Sequence, residues 1–177
     1  MENKQPPLII QNQYIKDLSM EIPHAPAIFK RLQGVAPKIG VEINVEAQKL
    51  EEENFYNVLL NVRINGDVEE EKAFILELSY GAVVVLNIPK EHHEPVLMVD
   101  VAHMIYPFVR QIVANTMTNA GMPPLMLNPM DFMAVYNAKK NAQTKEAKQY
   151  HLMNNKKKPP YKRRLFLDYH AGYLFLL

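Results

Sequence analysis

Two long apolar runs between Phe55 and Ile88 restrict the chain to folds with an extended sheet at their centre. Tyr56, Val58, Leu60, Val62 and Ile64 recur at every second position, which places them on one face of a strand. Phe55 and Leu59 fall on the opposite face, which a monomeric sandwich would leave polar. Phe74 to Ile88 is then almost continuously apolar around Glu77, Ser79 and Tyr80. A sheet that is sticky on both faces, in a chain without a catalytic constellation, points to surfaces that meet subunits or polypeptide.

The neighbouring segments supply the rest of that sheet. Leu8 to Ile22 predicts a first strand carrying Ile10, Ile15, Leu18 and Met20, ended by Pro23–His24–Ala25–Pro26 and a short turn or helix with Ile28 and Phe29. Beyond Pro37, Ile39, Val41, Ile43, Val45 and Ala47 alternate with polar residues, the clearest period-two pattern in the chain. The third strand is expected from Phe55 to Ile64, with a turn at Asn65–Gly66 and a solvated loop through Asp67, Glu69, Glu70 and Glu71. The fourth runs from Lys72 towards Ile88, bent or interrupted at Gly81.

After Pro89 the period changes. Val96, Val99, Val101, Met104 and Ile105 predict a first helix opened by Pro95, and Pro107 is expected to start a second one. Phe108, Val109, Ile112, Val113 and Met117 give that second helix its apolar face, with Gly121 as C-cap. Pro123, Pro124 and Pro129 describe an extended linker, and Asp131 caps a short helix with Phe132, Val135 and Tyr136. The fold class is therefore α+β: a four-stranded antiparallel sheet with C-terminal helices. Four successive strands without crossover helices argue against a doubly wound sheet. The expected organisation is a flexible segment over 1–8, one domain over 9–140 and a flexible tail over 141–177.

Composition narrows the chemistry. No cysteine is present, which excludes disulfides, thiolate catalysis and Cys-based metal sites. Met1 to Pro7 lacks an apolar signal core and no apolar run approaches a membrane span, so cytoplasmic residence without stable membrane insertion is expected. The net charge of +1 hides an asymmetry: residues 1–155 hold 14 basic against 18 acidic side chains, whereas residues 156–177 hold 6 basic side chains against Asp168. A body with a net charge of −4 does not suit nucleic acid.

No catalytic or metal pattern emerges. His92, His93, Glu94, Asp100 and His103 fit no HExxH spacing, and adjacent histidines point in different directions. Glu51 to Glu53 and Glu69 to Glu71 read as hydrated loops, Ser19 and Ser79 sit in no nucleophile elbow, and no glycine-rich phosphate loop occurs. No enzyme activity, cofactor or metal is assigned. Glu77 interrupts an apolar strand, so its carboxylate faces water or a partner's positive charge. Asp17 and Glu21 share one strand face; if the first strand lies near the fourth, these three acids form a patch around Ile75. The alternative is simple solubilisation of two strands. Met98, Met104, Met117, Met122, Met126, Met130 and Met133 either fill core gaps or line an adaptable groove, which Met122 to Leu127 would edge.

Several of these segments occur in the order of a known family. Tyr14 to Glu21 followed by Pro23–His24–Ala25–Pro26, Phe74–Ile75–Leu76–Glu77–Leu78, Ile105 to Arg110, and Pro124 to Phe132 together resemble the protein-export chaperone SecB, from about Ile9 to Tyr136. The resemblance implies a homotetramer, a dimer of dimers, with sheets outside and helices between. It implies ATP-independent holding of unfolded precursor proteins and their delivery to the SecA translocation motor. Asp17, Glu21, Ile75 and Glu77 would dock the zinc-bearing tail of SecA, the zinc belonging to SecA. Tyr106, Phe108, Leu125, Met126 and Leu127 would contribute to apolar client grooves. A second reading keeps the fold but dedicates the chaperone to another client, such as a toxin–antitoxin component. The end departs from the family, which commonly finishes in a polar, often acidic tail: Lys156 to Lys158 and Arg163–Arg164 are basic and precede apolar residues.

Overall fold

Four long strands form one antiparallel sheet in the order β1-β4-β3-β2: β1 Leu8–Glu21, β2 Lys38–Lys49, β3 Phe55–Val68 and β4 Glu71–Leu86. These come from a computed structural model that describes residues 5–138, 140, 141 and 169–171. The expected Lys156 to Lys158 and Arg163–Arg164 basic runs lie outside the described residues. A three-residue strand β5, Tyr169–Ala171, pairs antiparallel with β2 at Val41–Ile43.

Alternation dictates which face is dry. Val58, Leu60, Val62 and Ile64 of β3 and Leu76, Leu78, Ala82 and Val84 of β4 are buried under the helices. Fully burying each such Val, Leu or Ile side chain contributes about 1.5–3 kcal/mol of transfer free energy. The helical layer begins at Lys90–His92, a 3₁₀ turn, continues through α2 (His93–Pro95) and a π segment Val96–Val101, and ends in α3 (Ala102–Asn119). Ile105, Val109, Val113 and Met117 of α3 face the sheet. The short α1 (Ile28–Leu32) follows β1, and residues 132–138 form α4.

The helix expectation needs correcting. Lys90–Asn119 is a single helix rather than two, and Pro107 lies inside α3. Proline removes the donor for the His103 carbonyl, but Pro107 and His103 both sit on the exposed side, where water can replace it. That helix is also long and apolar enough to cross a membrane, contrary to the expectation that no such run exists. Its apolar stripe is spent on the sheet instead. Nor does Pro95 open it, because the helical run already begins at Lys90. Its C-terminal end behaves as expected: Gly121 adopts φ 77°, and Met122 N–H reaches the Met117 carbonyl at 3.0 Å. Asp131 Oδ1 accepts from Ala134 N–H at 2.9 Å, capping α4.

Two glycine readings also change. Asn65 and Gly66 are not a turn; they pair with Ile75 and Phe74 inside the β3–β4 ladder, and the reversal lies at Glu69, φ 57°. Gly66 is required because the Phe74 ring occupies the space of its missing Cβ. Nor does Gly81 interrupt β4. A Cβ there would stand 2.6 Å from Tyr14 Cζ, so this glycine admits the tyrosine ring laid across it. The irregularity of β4 sits at Ala73, skipped between Gly66↔Phe74 and Asp67↔Lys72, and two more sit on β1, between Ile10 and Asn12 and between Ile15 and Asp17. Each bulge adds one residue and reverses the side-chain parity after it.

Candidate functional site: two surfaces of one sheet

On the face away from the helices, the ladder places side chains in rows across four strands. One row reads Glu21, Ile75, Asn65 and Gly40; the next reads Ser19, Glu77, Arg63 and Glu42; a third reads Asp17, Ser79, Asn61 and Asn44. The structure therefore brings Asp17, Glu21, Ile75 and Glu77 together on adjacent strands, as parity requires. Asp17 and Glu77 line a shallow cavity of about 240 Å³ together with Glu42, Asn44, Asn61 and Arg63; Glu21 and Ile75 lie outside it.

Polar bonds tie the floor of this surface. Ser79 Oγ donates to Asn61 Oδ1 at 2.6 Å, and Asn61 Nδ2 donates to Glu46 Oε1 at 3.1 Å, crossing from β4 to β2. Arg63 Nη1 meets Glu77 Oε1 at 2.9 Å. Both side chains are about half exposed, so the pair stays solvated and contributes only ~0–1 kcal/mol. Glu77 thus faces water, but it has a partner within its own sheet. The sequence reading missed Arg63, and the one usable signal was that it is the lone basic residue of β3.

Further along the same face, Ile9, Val85 and Phe55 form a row, with Tyr14, Gly81 and Leu59 nearer the acids. All but Gly81 are partly buried. The outer face is thus divided along the strands, apolar at one end and acidic at the other, which accounts for Phe55 and Leu59. Tyr14 OH donates to Asn57 Oδ1 at 3.0 Å where the two halves meet.

The helical side presents a different surface. Of the expected client residues, Phe108 and Met126 are exposed, at 43% and 58%. Tyr106, Leu125 and Leu127 are buried within the chain. Tyr106 OH donates to the Asn128 carbonyl at 2.6 Å and its ring packs edge-on against Phe132. Burial pushes the Tyr106 phenol above its ordinary range, partly offset by Arg110. Leu125 and Leu127 point inward while Met126 points out, the two-residue alternation of an extended linker. Phe108 stacks at 6.2 Å on Tyr80, whose strand neighbour Ile15 is 48% exposed; Leu18, further along β1, is 40% exposed. Ile15 and Leu18 belong to the helix-facing side of β1 yet lie beyond the helical cover.

The histidine-rich segment is structural. His93 is buried; its Nε2 donates to the Ile88 carbonyl at 2.9 Å, leaving Nδ1 to accept from Tyr56 OH at 2.7 Å. A carbonyl can only accept, which fixes that tautomer for the neutral ring. His103 bonds the Val99 carbonyl and packs edge-on against Phe132. Among the described residues, no group of three or more His, Cys, Asp or Glu side chains could hold a metal.

Comparison with known proteins agrees with this arrangement. A family model described as preprotein translocase subunit SecB matches residues 1–143. The chain is 43% identical over 143 residues to the protein-export protein SecB of Rhodospirillum rubrum, covering 81% of this chain and 88% of that one. It is likewise 43% identical over 150 residues to protein-export protein SecB 1 of Gluconobacter oxydans, covering 79% and 86%. A solved structure of the Mycobacterium tuberculosis SecB-like chaperone Rv1957, in complex with a peptide from the HigA1 antitoxin, shares the fold. It aligns with TM-score 0.54 at 16% identity, over 70% of this chain and 90% of that one.

Proposed function

The chain belongs to the SecB family, and on that premise we propose that it is an ATP-independent holding chaperone that delivers unfolded precursor proteins to the SecA motor in the cytoplasm. Family members are chaperones rather than enzymes, and chaperoning of exported precursors is the activity shared by the protein-export relatives. The observation that carries delivery to SecA is the segregation of two surfaces on one sheet. Acids surround Ile75 on the outer face, whereas exposed apolar side chains gather on the helical side. A client can be held on one side while the motor engages the other.

Client capture uses Phe108 and Met126 as accessible anchors, with Tyr106, Leu125 and Leu127 buried beneath them as support. Several weak apolar contacts hold an extended chain by avidity without reading one sequence. The homotetramer is supported by β1, a 14-residue strand with a single neighbour among the described residues, and by exposed Ile15 and Leu18. A long unprotected edge is a liability that a second copy removes.

A second client class, an antitoxin segment, is suggested by the peptide held by the Rv1957 chaperone. The likeness to that protein extends to the fold alone, whereas the relatives at 43% identity are export proteins. The deciding experiment gives the purified protein a denatured precursor and follows light scattering without ATP, with and without SecA. Suppressed aggregation followed by SecA-dependent release supports export. Capture with no response to SecA would refute the delivery step.

A further inference from the structure

We propose that Arg63 is an internal competitor at the acidic docking face, a specificity-determining residue that a partner's cation must displace from Glu77. The inference rests on the docking reading above and adds its regulation. Arg63 lies directly between Glu42 on β2 and Glu77 on β4, and its guanidinium already sits 2.9 Å from the Glu77 carboxylate. Directly opposed side chains on neighbouring strands are close enough for this pairing without distortion. With side chains 51% and 45% exposed, the pair opens into water at little cost.

Charge complementarity identifies the occupant. Asp17 and Glu21 on β1 and Glu77 on β4 gather beside Ile75, with Glu42 two strands away on β2 beyond Arg63, a pattern that fits a segment presenting Lys or Arg beside one apolar side chain. Such a segment meets one carboxylate already neutralised and one like charge in its path. Arg63 therefore lowers affinity for cationic partners in general, and favours a partner able to use Asp17 and Glu21 until Glu77 is released. The result is reversible handover rather than permanent capture.

The test measures binding of the zinc-loaded SecA tail peptide by fluorescence anisotropy, at low and high salt. Removing an exposed competing ion pair should tighten binding of Arg63→Gln by roughly 2- to 5-fold at low salt, with the gain shrinking as salt rises. Arg63→Lys should bind within about twofold of the parent, because it keeps the competing charge. In a Glu77→Gln background the gain from Arg63→Gln should fall by at least about half, since the pair no longer exists. Unchanged or weaker binding by Arg63→Gln overturns the proposal. If Glu77→Lys and Asp17→Lys still weaken binding in that case, the docking reading survives it. Parent-like binding by both charge reversals removes the docking reading, and this inference with it.

Discussion

Replacing Gly66 with alanine puts a methyl group where the Phe74 ring lies. The backbone at Gly66 is ordinary strand, so the only obstacle is steric. Phe74 is fully buried and cannot swing into solvent, so the ring must leave its rotamer or push the sheet apart. Overpacking of this kind costs about 1–3 kcal/mol, from which the lower chain entropy of alanine returns about 0.5–1 kcal/mol. A net loss of about 1–2 kcal/mol is expected. Gly40, one strand away, has nothing within 4 Å of an added Cβ, and Gly40→Ala should be neutral or gain up to about 0.5–1 kcal/mol. Gly81→Ala should fall between them: the obstacle is the far end of Tyr14 on an edge strand, which yields at the expense of its bond to Asn57. Urea titrations at one fixed protein concentration read the series, because assembly contributes to apparent stability. Phe74→Leu should relieve much of the Gly66→Ala penalty. A Gly66→Ala protein as stable as Gly40→Ala would refute the packing argument.

Glu77→Lys and Asp17→Lys should each weaken SecA binding by about tenfold or more while leaving client capture intact, as measured by anisotropy and light scattering. Phe108→Ala and Met126→Ala should reduce suppression of precursor aggregation with little loss of stability, whereas Leu125→Ala, in the core, should cost about 2–5 kcal/mol in urea unfolding. Thermal melting from pH 8 to 12 tests Tyr106, whose phenol is raised by burial. A raised folded value keeps its contribution intact below about pH 10, the unfolded phenol's range, and loses it as pH climbs through the folded value. Tyr106→Phe should flatten that alkaline decline.

The strands themselves followed from alternation because each buried residue of β2 and β3 is flanked by polar or half-exposed neighbours, whereas the order that sets β1 beside β4 was only a condition of the sequence reading. The hairpin centre did not follow either. In an antiparallel pair the connection fixes every partner, and one spanning residues 65–71, between Ile64 and Lys72, would set Glu77 opposite Leu59 instead of Arg63. The misplaced turn therefore concealed the ion pair at the candidate site. Composition misled for a physical reason: Asn-Gly is a favoured hairpin turn, but here packing against Phe74 sets the glycine's role. Pro107 misled similarly, since a proline on the wet side of a helix removes a donor that water can replace. Parity put Asp17 and Glu21 on one face and set Glu77 apart from the apolar positions of β4, but their meeting depended on β1 lying beside β4, which parity does not give. Groove and core were not, because burial of Tyr106, Leu125 and Leu127 depends on how the linker returns across the helix.

The two bulges of β1 give the acidic face an unusual dependence on chain length. Between them Tyr14 turns outward over Gly81, and after the second Asp17 and Glu21 turn outward as well. Deleting Lys16 would leave every other side chain of the strand chemically unchanged. Asp17 would then follow Ile15 directly and still pair with Ser79, so Asp17 and Glu21 would keep the outer face and only the bulge would be lost. Deleting a paired residue such as Leu18 would instead turn Glu21 to the helical face and Met20 outward, burying charge on the core side of the sheet.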